Sequence, residues 1–108
     1  MDKDTVACAL TGRELGQRQA ELRAGVLSMA DAVEHLADGV RWRFPPIPDL
    51  ITRLGPVIDA ERRCCAFLRF VLHADPGLGA VTLDVTGPPG TPAILAPWVG
   101  TLNRDSPP

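Results

Sequence analysis

The sequence predicts an α+β fold: a two-layer sandwich in which a four-stranded antiparallel sheet, built from two hairpins, carries two main helices on one face. Two stretches repeat apolar residues at helical spacing, two of four short strand-like stretches alternate apolar with polar residues, and turn signals join those four in pairs. Their order is α, hairpin, α, hairpin, short α, and no linker separates a second domain. One domain over 1–108 is therefore expected, with the ends at about 1–6 and 100–108 fraying.

A first helix is expected over about 12–28. Thr11 stands as N-cap, Glu14 closes a capping box, and Leu10 can staple onto Leu15. Leu15, Leu22, Val26 and Met29 recur at helical spacing, joined by Ala20 and Leu27, whereas Arg13, Gln17, Arg18, Glu21 and Arg23 fall mostly outside that stripe. Val33 to Leu36 and Val40 to Phe44 flank Ala37-Asp38-Gly39, a hairpin signal because Gly tolerates positive φ. In the second of these strands Val40, Trp42 and Phe44 share one face, and Arg41 and Arg43 share the other.

Pro48 or Asp49 opens a second helix, expected to run to about Phe67 and to be kinked at Gly55-Pro56. Leu68 to His73 and Val81 to Thr86 form the second strand pair around the turn Asp75 to Gly79. A short helical segment from Pro92 to Trp98, with Thr91 as a cap, closes the order. Trp42 is assigned to the core, Trp98 to anchoring the tail, and His73 to the wet face of its strand. Gly87-Pro88-Pro89-Gly90 lacks the Lys and Ser/Thr of a phosphate loop, and Gly77-Leu78-Gly79 lacks a third Gly, so both are turns.

A chain of 108 residues buries roughly 65% of its unfolded surface and needs no metal or disulfide merely to fold. The net charge of -2 offers no electrostatic attraction for nucleic acid or anionic lipid. Met1-Asp2-Lys3-Asp4 lacks the features of a signal peptide, and no stretch is apolar enough for a membrane span, so a cytoplasmic location is expected. Ten Arg against one Lys reads as the codon bias of a GC-rich bacterial genome. Three cysteines, two of them adjacent, argue against a disulfide framework in a reducing compartment; the thiols are expected free or metal-bound.

The concentrated chemistry lies in Glu61-Arg62-Arg63-Cys64-Cys65. At about 100° per residue, Leu50, Leu54, Val57, Ile58 and Leu68 define a core-facing stripe with Glu61 in its centre. A buried carboxylate needs a partner, such as an Arg from the sheet, a backbone donor, a metal or its own proton. Cys64 and Cys65 follow one turn later and flank the stripe, while Arg62 and Arg63 point outward. Adjacent helical cysteines diverge, so both sulfurs meet one ion only if the helix loosens near residue 65. Cys8, ahead of the first helix, is the candidate third sulfur.

Cys64, Cys65, Cys8 and Glu61 thus form the candidate ligand set for a soft metal or metalloid ion of the Hg, Zn, Cu or As class. Cys64 or Cys65 as nucleophile, with Glu61 as general acid or base, is the alternative, a cysteine-dependent enzyme doing redox or bond-cleaving chemistry. The third alternative is a partner-binding or dimerising module that uses the Arg41/Arg43 face or a sheet edge, with cysteines as structural filler.

Cys8-Ala9-Leu10-Thr11, Arg41-Trp42-Arg43-Phe44-Pro45 and Glu61-Arg62-Arg63-Cys64-Cys65-Ala66-Phe67-Leu68 resemble the pattern of a family of small uncharacterised bacterial proteins with an E-R-x-C-C-x-F-L core. The resemblance runs from about residue 8 to residue 96. It implies a loose association with heavy-metal resistance and brings no established activity. Two cysteines and an acid also resemble, by chemistry alone, the site of organomercurial lyases.

Overall fold

The computed structural model describes residues 13–77 and 79–105. Seven elements follow one another: α1 (Arg13–Leu27), β1 (Ala32–Leu36), β2 (Gly39–Phe44), α2 (Leu50–Cys64), β3 (Arg69–Ala74), β4 (Val81–Thr86) and α3 (Thr91–Asp105). The strands form one antiparallel sheet in the order β1-β2-β4-β3, and helices pack on one of its faces, as the alternation in the sequence predicted. The capping residues Leu10 and Thr11 lie outside the described residues.

Alternation decides which way each strand faces. Val40, Trp42 and Phe44 of β2 and Val81, Leu83 and Val85 of β4 are all buried on the helix side. Leu50, Leu54 and Val57 meet them from α2, Val26 and Leu27 from α1, and Leu95 and Val99 from α3. Each such side chain removed from water contributes about 1.5–3 kcal/mol before conformational entropy is set against it.

Three local expectations need correction. Residues 91–105 form a helix of 15 residues rather than a turn or two, even though Pro97 lies inside it. Leu22 is 51% exposed; the core stripe of α1 is carried by its last turn. Gly39 does not adopt positive φ. Its side-chain hydrogen instead lets the backbone of β2 come against the Val85 carbonyl oxygen of β4, where any Cβ would collide. The positive φ falls at Asp49, which precedes α2 in the left-handed region without a side-chain cap, and at Gly77 and Gly90 in the turns.

The outer face of the sheet is polar and organised by Arg41. Its Nε and Nη2 donate to the two carboxylate oxygens of Asp84 at 2.7 and 2.8 Å, a bidentate pair between neighbouring strands in register. Arg41 also lies 3.4 Å from Glu34 of β1, so one guanidinium ties three strands. The hydrogen bond from Arg41 holds the Asp84 carboxyl below its ordinary value, against a smaller opposing effect of burial. A carboxyl depressed in the folded state stabilises the fold above its unfolded value and loses that contribution as pH falls through the folded one. Urea unfolding from about pH 7 down to about pH 3 is therefore expected to show Asp84→Asn less stable than wild type at neutrality and less sensitive to acid below about pH 4.

Candidate metal centre

The core stripe of α2 recurs at residues 50, 54, 57, 61 and 64, alternating steps of four and three. Its first three members are apolar; its last two are Glu61 and Cys64, both buried. Helical phase thus drives a carboxylate and a thiol into the layer beneath the sheet. Glu61 is 1% exposed, and Cys64 and Cys65 are 6% and 0% exposed.

The helix stops at the cysteine pair. Neighbouring side chains on a continuous helix diverge by about 100°. Here Cys65 leaves the helical region at φ -121° and ψ 79°, while its N–H still donates to the Glu61 carbonyl at 2.7 Å. The turn is completed by Leu68, whose N–H donates to the Cys65 carbonyl at 3.1 Å. The two sulfurs come to 3.6 Å of each other. Together with a carboxylate oxygen of Glu61, they form a group whose ligand atoms all lie within 4.8 Å of one another. Such a group can hold a metal ion.

Two expectations about this group change. The partner of Glu61 comes from α1 rather than from the sheet: Arg23 Nη1 donates to Oε2 at 2.9 Å. Cys65 is in the disulfide-bonded form, where thiols either free or metal-bound were expected, so paired thiolates at 64 and 65 belong to the reduced protein. Cys8, the candidate third sulfur, lies outside the described residues. Arg62 and Arg63 are exposed as expected, Arg63 meeting Asp59 at 3.0 Å across one turn. Their charge partly offsets the negative end of the α2 dipole, which disfavours thiolate.

Arg23 was placed outside the stripe of α1, and it is the residue the sequence reasoning missed. At about 100° per residue it lies between Val26 and Leu27 on the helical wheel, so phase alone would have found it. Its guanidinium carbon also sits 4.4 Å from the centroid of the Trp98 ring, and that ring lies 6.2 Å from Trp42. A cation held between an aromatic face and a carboxylate is fixed in both direction and distance. Arg23 and Trp98 further line a surface cavity of about 330 Å³ with Leu27, Ser28 and Pro97. Trp42 Nε1 is buried, with no hydrogen-bond partner among the described residues. The histidines stand apart from the group: His35 on β1 and His73 on β3 are both exposed.

No family model matches the chain, and no curated protein or solved structure matches it either.

Removing one member of a buried ion pair strands the other charge. Arg23→Ala is expected to cost about 2–3 kcal/mol, short of the figure for a fully enclosed pair because the Arg23 side chain is 18% exposed. Arg23→Met combined with Glu61→Leu should recover most of that loss. Chemical denaturation of Arg23→Met, Glu61→Leu and the double would reveal a purely additive cycle if Glu61 did not depend on Arg23.

Proposed function

We propose that the reduced protein binds a soft metal or metalloid ion, with Cys64 and Cys65 as sulfur ligands and Glu61 as a third ligand or as acceptor of a thiol proton. The observation that carries this is the burial of one carboxylate and two sulfurs within 4.8 Å of one another. A plain core would fill those positions with aliphatic side chains, because a buried carboxylate is costly and two sulfurs beside it have no packing advantage over Leu or Val.

Spacing bears on the kind of ion. Two sulfurs at about 2.3 Å from one tetrahedral ion stand about 3.8 Å apart, whereas a linear two-coordinate ion would hold them about 4.6 Å apart. At 3.6 Å with Cys65 oxidised, the sulfurs are already close enough to meet one ion once reduced, and their thiolate character suits the Zn, Hg, Cu or As class. Charge supports a divalent ion. Arg23 already balances Glu61, so two thiolates are left to balance two positive charges. A cytoplasmic setting would keep Cys65 reduced and available.

The oxidised form of Cys65 favours a second use of the same sulfurs, thiol–disulfide redox chemistry, since the Cys64 sulfur lies within 3.6 Å of a disulfide sulfur. The two uses part on what the reduced protein does in the absence of any disulfide substrate.

In titrations of fully reduced protein with Zn(II), Hg(II) or As(III), wild type is expected to bind one ion per site. Cys64→Ser with Cys65→Ser should abolish that binding, and protein left oxidised should bind far less. Equal binding by wild type and the double variant would remove the metal reading. Rapid reduction of a small disulfide by metal-free reduced protein would favour the redox one.

A further inference from the structure

We infer that β3 is a dimerisation edge, at which two copies of this chain join their sheets across a two-fold axis centred on Leu72. β3 stands last in the sheet order, and among the described residues no strand pairs with its outer side. Five of its six residues are exposed, including Val71 and Leu72 at 37% and 36%. The strand has no Pro or Lys to discourage pairing, and an unpaired edge of this kind is a template for another strand.

The backbone decides which groups the edge offers. Asp75 N–H donates to the Ala80 carbonyl, its register partner at the hairpin end, which makes that pair a hydrogen-bonded one. Hydrogen-bonded and non-bonded pairs alternate along an antiparallel ladder, so Arg69, Val71 and His73 also turn their backbone groups toward β4. Phe70, Leu72 and Ala74 turn theirs outward. A second β3 must therefore pair even-numbered residues with even-numbered ones.

Charge then selects between the two registers that satisfy this and use most of the strand. Centring on Val71 would set Arg69 opposite His73 of the other copy. Centring on Leu72 sets Arg69 opposite Asp75, the residue that follows the strand, twice over by symmetry, and neither residue is in an ion pair among the described residues. The same register sets Phe70 opposite Ala74 on the inner face, a large side chain against a small one. It lies beside an apolar trough of about 550 Å³ lined by Ala74, Val81, Ile47, Leu50 and the 49% exposed Ile51. The interface is isologous, as a closed dimer requires. Six backbone hydrogen bonds follow from the three outward residues of each copy, about two per residue pair in such a ladder. This edge is independent of the cysteine group and carries no thiol.

Sedimentation of the full chain in reducing buffer, which excludes disulfide-linked pairs, tests the inference. Wild type is expected at twice the 11.6 kDa chain mass. Arg69→Asp or Asp75→Arg alone should weaken the dimer by roughly tenfold, since each sets like charges opposite one another in two places. The two together should restore it. Amide exchange provides a readout free of substitutions: Phe70, Leu72 and Ala74 should gain protection as protein concentration rises, while Val71 and His73 stay protected throughout. A chain that remains monomeric to millimolar concentration, a dimer indifferent to the single reversals, or unprotected amides at Phe70, Leu72 and Ala74 in the dimer would each overturn it.

Discussion

The ion pair between Arg23 and Glu61 is the constraint on which the layer beneath the sheet depends. It joins α1 to the last turn of α2, and it is what makes a carboxylate tolerable among Leu54, Val57 and the strand residues above them. A hydrophobic pair of similar volume would often be at least as stabilising, so the ion pair is weak evidence of selection for stability. What it provides is position. Glu61 is held beside Cys64 and Cys65 by a guanidinium that is itself packed over Trp98 from α3, so three helices converge on one carboxylate.

The fold was legible because its two central strands obey a period of two. Val81, Leu83 and Val85 alternate with Thr82, Asp84 and Thr86, and that alternation states both the element and its buried face. The central part of the sheet order was not legible. Pairing of β2 with β4 depends on long-range complementarity, such as Arg41 with Asp84 and the close approach at Gly39, which no local pattern announces. Gly39 is instructive: the sequence offered a sound local reason for a glycine there, and the structure uses it for a different, non-local one. The last helix was expected to be short, Pro92 to Trp98, whereas α3 continues through Pro97 to Asp105.

The candidate site divides along the same line. Glu61, Cys64 and Cys65 are close in sequence near one helical stripe, so phase placed them together, and the helix does loosen at Cys65, the condition for adjacent sulfurs to approach. Arg23 comes from 38 residues away. Its inward phase between Val26 and Leu27 could be read locally, but nothing local names Glu61 as its partner. An anomalous buried acid is therefore best read together with a search for the Arg that other helices place within their own apolar faces. The oxidation state of Cys65 belongs to chemistry that no spacing rule records.

The stacking of Arg23 on Trp98 has an optical consequence. The chain contains two Trp and no Tyr, and the two indoles lie 6.2 Å apart. Its near-ultraviolet emission therefore originates almost wholly from this pair, one ring facing the cation that neutralises Glu61 and the other carrying a buried, unpartnered N–H. Any event that pulls Arg23 or Glu61 from its present place alters the field across those rings. The protein thus carries an intrinsic spectroscopic gauge of its own buried carboxylate.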